Sequence, residues 1–338
     1  MTSSAKSVPA ITVIMSCYNA APWVDIAIIS VLNQTFSDYE FIIIDDGSVD
    51  NTLEIIQGFS DTDARIIVIT KPNTGLSDSL NIGIQQARGE WIARIDADDI
   101  CERDRFEKQI NIASGNSELV FIGSSLTMID SRDRILKAHY YPTRHAALLQ
   151  HLRTARKFPP HSSAFMRTNI VRKLNGYRVR MHRAQDVDLW LRLSEVGGLA
   201  CLNEPLVRIR KHPEQISHDV GGERQIIDSK QAMVSHWLRQ LGVVDPVDAD
   251  EASYEEFRAW LIGRLHEQRL FEFKDYKAHL MVVCGAAMGA HLGVIRLLYA
   301  CISRPLFLVR LIRERFLGES ITHRLAIEWM KQSKNVKT

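Results

Sequence analysis

Three carboxylates stand within four residues at Asp96-Ala97-Asp98-Asp99, directly after the apolar run Trp91 to Ile95. Carboxylates this close repel one another, and burial sharpens the repulsion. A cation among them reverses the sign of the interaction. Oxygen-only donors point to a hard ion, Mg2+ or Mn2+, and such ions commonly share their coordination with substrate phosphates. The same triplet can also be read as a solvated acidic turn that caps a helix starting near Arg103. Two more polar clusters close apolar runs: Ser16-Cys17-Tyr18-Asn19 after Ile11 to Met15, and Asp45-Asp46-Gly47-Ser48 after Glu40 to Ile44.

The elements that carry these clusters alternate. Short β-branched strands (Ile11 to Met15, Glu40 to Ile44, Arg65 to Thr70, Trp91 to Ile95, Leu119 to Ile122) are separated by apolar-periodic helices (Trp23 to Asn33, a helix behind Asp50, Leu76 to Ala87, Arg103 to Ala113). That pattern predicts an α/β fold with a mostly parallel sheet covered on both faces. Ligands of open sheets of this kind bind beyond the carboxyl ends of the strands, which is where the three polar clusters fall. Later, Asp186 to Glu195 reads as a helix and Glu204 to Ile209 as a last strand leading into Lys211-His212-Pro213. Beyond about Ser217 the pattern turns helical, with Gln225 to Leu241 and Tyr254 to Phe271 as helices.

With 338 residues, 46% of them hydrophobic, the chain can bury a large core as one large domain with an appendage, or as two domains. A net charge of +2 calls for no nucleic acid. The charge is uneven, however. From Arg134 to Gln185 there is no acidic residue, while Lys137, Arg144, Arg167, Arg172, Arg178 and Arg183 fall inside. Such a segment draws in phosphorylated ligands, or pairs with acids elsewhere in the fold. Five scattered cysteines read as reduced thiols, and the polar Met1 to Pro9 lacks a secretory h-region, so a cytoplasmic location is expected. The stretch Leu280 to Ile295 falls short of the ~20 apolar residues of a spanning helix. The basic, apolar-interleaved tail 280–338 suits amphipathic helices on an anionic membrane surface, or a helical cap or dimer surface.

Taken in order, the motifs resemble glycosyltransferase family 2 over roughly Val8 to Ser217. They are Val13 to Asn19, Ser30 to Thr35, Asp45-Asp46-Gly47-Ser48-Val49-Asp50, Asn73-Thr74-Gly75-Leu76 with Asn81-Ile82-Gly83, and Ala87-Arg88-Gly89-Glu90. Asp96-Ala97-Asp98-Asp99, Asp186-Val187-Asp188-Leu189-Trp190 and His212-Pro213-Glu214-Gln215-Ile216-Ser217 complete the series. The resemblance implies a GT-A fold, Rossmann-like with a mixed, mostly parallel sheet, as a catalytic domain over 8–217. A helical C-terminal region over 218–338 would follow. It also implies an inverting, metal-dependent transfer of a sugar from a nucleoside diphosphate donor, UDP favoured, to a hydroxyl of a growing glycan. The basic segment and tail suggest a polyprenyl-diphosphate-linked acceptor, handled by a peripheral protein at the cytoplasmic face of the inner membrane.

By the same resemblance, Tyr18 stacks on the base with Ser16 beside it, and Asp46 accepts from a base N–H. Asp96 faces the ribose and Asp98 holds Mn2+ or Mg2+. Asp99 is a second ligand or a support, and His212 completes the metal site. Asp186 is similar to the family's catalytic base. The residue before it is usually Glu and is here Gln185, which keeps hydrogen-bonding capacity but loses the charge. Asp188 points to another helix face and reads as a partner for an arginine. His161, in the loop Pro159-Pro160-His161-Ser162-Ser163, either lines the acceptor site or is structural. Two other readings compete. A sugar nucleotidyltransferase would need a Gly-rich basic phosphate loop after the first strand, which Ser16 to Asn19 is not. A non-catalytic partner in glycan assembly is favoured only by Gln185. No GxGxxG follows any strand, which excludes a dinucleotide-binding dehydrogenase.

Overall fold

The computed structural model describes residues 8–154, 158–212, 223–267 and 321–335. The chain divides into two compact units, Met1–His218 and Asp219–Thr338. The first is built on one mixed sheet of strands β1 (Ile11–Cys17), β2 (Tyr39–Asp45), β3 (Ile66–Thr70), β4 (Trp91–Arg94), β5 (Ile100–Cys101), β6 (Leu119–Asp130), β7 (Ile135–His139), β8 (Phe165–Arg167) and β9 (Gly198–Lys211). Their order is β3-β2-β1-β4-β8-β6-β9-β5, with β7 paired to β6. The β3-β2-β1-β4 half is parallel, β8 runs antiparallel to both β4 and β6, and β9 is parallel to β6.

Helices pack on both faces because alternate strand residues are apolar on both sides. Ile11, Val13 and Met15 of β1 meet Val24, Ala27, Ile28 and Val31 of α1 (Val24–Leu32), a spacing that puts four side chains on one helix stripe. On the opposite face, α3 (Leu76–Gln86) approaches so closely at Gly83 that an added Cβ would meet the side chain of Ile14 at 2.7 Å. Helices α2 (Thr52–Ser60), α4 (Arg105–Ser114), α5 (His145–Arg153), α6 (Thr168–Lys173) and α7 (Gln185–Ser194) complete the unit. Trp91 stacks on Phe165 at 5.0 Å, which joins β4 to β8 and so aims the acidic turn that follows β4.

Two strands run well past their sequence expectation. The run at Leu119 to Ile122 continues to Asp130 because Ser124 and Ser125 are small and fully buried, with backbones that keep pairing to β9. The expected strand Glu204 to Ile209 spans Gly198–Lys211, with Pro205 taken up where the β6–β9 register slips. Strand β7 and helices α5 and α6 were not anticipated.

In the second unit, α8 (Glu223–Gln240), α9 (Glu251–Glu267) and α10 (Ile321–Asn335) pack on one another. Their core holds Phe257, Leu261, Leu265, Leu325 and Trp329. A polar seam crosses it: Arg258 Nη1 lies 3.0 Å from Asp228 Oδ1 and 2.7 Å from Gln231 Oε1. Leu280 to Ile295 lies outside the described residues. Among those described, no helix is long and apolar enough to cross a membrane.

Candidate active site

Strand β4 ends at Arg94, whose side chain is 2% exposed within an otherwise apolar strand. Its guanidinium closes a two-point ion pair on Asp96, two residues on, and Nη1 also donates to Ser162 Oγ at 3.0 Å. Burial alone would push the Asp96 carboxyl up, but the charge of Arg94 and the hydrogen bonds of Arg94 and Ser162 hold it below the usual carboxylate range. One of the three acids is therefore neutralised by the protein itself.

Ligating oxygens of Asp96, Asp98 and Asp99 all lie within 4.8 Å of one another. Asp99 is buried and accepts the backbone N–H of Arg210 at 2.9 Å. Ser162 Oγ sits 2.8 Å from Asp96 Oδ2 and also against Asp99, with one proton to give. Burial, with the charges of Asp98 and Asp96, pushes the Asp99 carboxyl well up. Asp98 Oδ2 faces His212 Nε2 at 3.0 Å. His212 leans on Trp23 with ring centroids 5.6 Å apart, and its buried Nδ1 has no hydrogen-bond partner among the described residues. Carboxylate oxygens grouped in this way suit Mn2+ or Mg2+, and His212 meets the group at Asp98. Asp98 and Asp99 are the carboxylates of this group that could hold such an ion, with His212 beside Asp98.

The ends of β1 and β2 lie beside this turn: Asp46 N donates to the carbonyl of Cys17 at 2.8 Å, and β1 pairs with β4, whose continuation Ile95 donates to the carbonyl of Ile14 at 3.2 Å. Ser16 is half-buried and Tyr18 is 52% exposed, so its ring has an open side. The loop carrying them is laced to the next, Asn19 N donating to Ser48 Oγ at 3.0 Å and Val49 N to Asn19 Oδ1 at 2.9 Å. Asp46 is buried and already accepts from Thr74 N at 3.0 Å, Gly75 N at 2.9 Å and Lys71 Nζ. Gly47, at φ +74°, makes this possible: a Cβ there would stand 2.8 Å from Asn73 N.

Helix α7 presents Asp186 in its first turn. Burial pushes its carboxyl up, opposed by the Val187 N–H at 2.8 Å and by the charge of Arg94. Asp96 acts on it in the other direction, so base candidate and acidic turn share one electrostatic field. Among the described residues, no side chain donates to Asp186. Gln185 is half-buried and, among the described residues, its Oε1 has no hydrogen-bond partner. His161 Nε2 lies 2.7 Å from Tyr177 Oη, and the ring packs on Trp190 at 5.7 Å. Burial and then Arg94 push the His161 imidazole well down, which keeps it neutral.

Sequence reasoning missed Arg94, Ser162, Tyr177 and Arg210. Only Arg94 left a usable signal, a lone cation in an apolar strand at the same-face spacing from Asp96. Asp188 is indeed held by arginines, Arg178 and Arg192, with Arg192 Nε 3.0 Å from Asp188 Oδ2.

Residues 12–174 match the family model described as Glycosyl transferase family 2. A protein of Haemophilus influenzae, named as an uncharacterized glycosyltransferase, is 31% identical over 252 residues, 70% of this chain and 77% of that protein. The chain belongs to glycosyl transferase family 2. Two solved structures share the fold of this family 2 chain. Residues 1–349 of S. aureus TarS in complex with UDP align with TM-score 0.55 at 16% identity, covering 76% of this chain and 72% of that one. The mannosyltransferase PcManGT of Pyrobaculum calidifontis, in complex with GDP-Man and Mn2+, aligns with TM-score 0.52 at 16% identity, covering 96% and 89%.

Proposed function

We propose that this glycosyltransferase inverts the anomeric centre as it passes a sugar from a nucleoside diphosphate donor, a UDP-sugar, to a glycan hydroxyl. The acceptor is a growing cell-surface polysaccharide carried on polyprenyl diphosphate at the cytoplasmic face of the membrane. The observation that carries the reading is Asp186, a carboxyl pushed up by burial that shares its field with Asp96. A carboxylate whose proton affinity is raised in this way takes a proton from an alcohol more readily than an ordinary one. The donor's diphosphate would lie at the acidic turn, where a bound Mn2+ or Mg2+, held by Asp98 and His212, supplies charge neutralisation for the leaving group.

In the step itself, the acceptor oxygen attacks the anomeric carbon while its proton passes to the Asp186 oxygen not engaged by Val187. The bond to the diphosphate oxygen breaks, and the nucleotide leaves with the electron pair. In this reading Asp96, held by Arg94, faces the ribose, and the open face of Tyr18 takes the base. Asp46 already serves three donors, but a carboxylate offers about four acceptor positions. One is left for a base N–H. Support for a nucleotide-sugar donor comes from TarS and PcManGT, whose structures hold UDP and GDP-Man.

The test is nucleotide release by the full chain from UDP-sugars with Mn2+, beside Asp186→Asn. The variant should bind UDP as the parent does and turn over at least ~100-fold more slowly. Equal turnover removes Asp186 as the base. No release from any nucleotide-sugar by the parent leaves a binding partner and not an enzyme.

A further inference from the structure

The hairpin formed by β6 and β7 presents a run of exposed residues from Ser131 to Lys137. Its tip is tied by hydrogen bonds: the Asp130 carboxylate accepts from Arg132 N at 2.9 Å, Arg134 N at 3.0 Å and Arg134 Nε at 2.7 Å. Just behind the tip the ladder slips, Met128 pairing with Lys137 but Ile129 with Ile135, so Leu136 is an extra residue without a ladder partner. A bulge of this kind re-aims side chains. Here it leaves two adjacent apolar residues in solvent, Ile135 at 72% and Leu136 at 54% exposure, with Tyr140 at 62% farther along. The far edge of β7 pairs with no strand among the described residues. Bare edges are ordinarily short, charged or covered, because apolar ones invite association. The acids near the tip are already committed, Asp130 to Arg134 and Asp133 to Arg210, and among the described residues Arg132 and Lys137 have no ion-pair partner.

We propose that this hairpin tip docks on an anionic lipid bilayer, with Ile135, Leu136 and Tyr140 entering the headgroup region and Arg132 and Lys137 meeting lipid phosphates. Three apolar side chains flanked by unpaired cations fit a fluid, negatively charged surface, which requires no shape complementarity. They fall far short of the roughly 800 Å2 that each side of a stable protein interface buries. The position also matters. Asp133, at the turn, holds Arg210 Nη1, while Arg210 donates through its backbone N–H to Asp99 and through Nε to the carbonyl of Asp98 at 3.0 Å. The docking tip is one arginine away from the acidic turn. That docking brings a lipid-carried acceptor to the donor site rests on the function proposed above; the docking itself does not.

The test floats the full chain on phosphatidylglycerol and phosphatidylcholine vesicles, beside the double variant Ile135→Ser/Leu136→Ser and, separately, Leu136→Trp. The parent should bind only the anionic vesicles, less tightly as salt rises. The double variant should lose about tenfold in partition and keep its rate of donor hydrolysis. The tryptophan introduced by Leu136→Trp should be quenched by brominated lipid beyond the background of the native tryptophans. The idea is overturned if the parent ignores anionic vesicles, or if the double variant binds as the parent does. It is equally overturned if the introduced tryptophan stays unquenched, or if the substitutions abolish self-association of the parent and not lipid binding. Absence of donor hydrolysis in the parent would strike the proposed function and leave the vesicle result standing.

Discussion

Arg94 changes what the three carboxylates mean. From the sequence, their crowding calls for a cation, but a buried guanidinium already answers Asp96, so an ion in this cluster would rest on Asp98 and Asp99, with His212 beside Asp98. The acidic motif was legible; its internal division of labour was not, because that depends on Ser162 and Arg210, which lie 66 and 111 positions away along the chain from Asp96 and Asp99. Asp186 carries a prediction at this scale. Burial raises its folded carboxyl above the unfolded value, so its neutral form is favoured in the native state. Its favourable contribution to stability is therefore full below the unfolded carboxyl range and lost as pH rises through the folded value. Asp186→Asn removes the charge that burial penalises. The variant should melt higher than the parent at pH 7.5, and the gap should close on acidification toward about pH 4. Turnover of the parent should fall on the acid side at a pH above the ordinary carboxylate range. Melting curves of both proteins across pH decide it; a variant that melts lower at pH 7.5 contradicts the assignment.

Two residues along the same helix, the sign reverses. Asp188 is fully buried between Arg178 and Arg192, and Arg192 also donates to the carbonyls of Leu174 and Gly176, each at 2.7 Å. These bonds hold the turn at Asn175-Gly176, where φ is +62° at Gly176 and a Cβ would strike Asn81 Oδ1. Asn81 in turn binds both the N–H and the carbonyl of Tyr177, and Tyr177 holds His161. Helix α7 is thus anchored at Asp188 so that it can present Asp186. Asp188→Ala would leave two buried arginines without their acid, a loss of about 3–5 kcal/mol. A urea midpoint lowered by more than ~1 M is expected, against little or no loss for Asp186→Asn. An unchanged midpoint would show that the arginines find other partners. Helical periodicity made α7 readable in advance. The strands β6 and β9 were harder, because Ser124, Ser125 and Pro205 break the apolar pattern while the backbone pairing continues. The acid-free segment from Arg134 was ambiguous for a similar reason. Arg167 and Arg178 pair with Glu90 and Asp188, and Arg172 donates to the carbonyls of Ile84 and Gln85. Partners that distant leave no local trace in sequence.

Across the whole molecule, the tail illustrates both what amphipathicity reveals and what it leaves open. The tail 280–338, read as suited to a membrane surface or to a helical cap, is described only over 321–335, where Ile321, Leu325, Ala326 and Trp329 of α10 are buried within the helical unit, with Trp329 against Phe257 at 5.1 Å. An apolar stripe specifies burial, and only the fold says against what. The donor site poses the corresponding question of charge, since a nucleoside diphosphate must approach Asp98 and its neighbours. With Asp96 already paired, the remaining acid still repels a diphosphate, and a divalent ion between Asp98 and His212 would turn that repulsion into attraction. UDP should therefore raise the melting temperature with Mn2+ present and not with EDTA. Saturation at 100 times the dissociation constant is worth about 2.7 kcal/mol, which corresponds to roughly 5–10 °C for a domain of this size. GDP, CDP and ADP should shift it less if Tyr18 and Asp46 select uracil. His212→Ala should raise the Mn2+ concentration needed by at least about tenfold. A UDP shift of equal size in EDTA would remove the metal from the donor site, and an equal Mn2+ requirement in His212→Ala would remove the histidine from the metal.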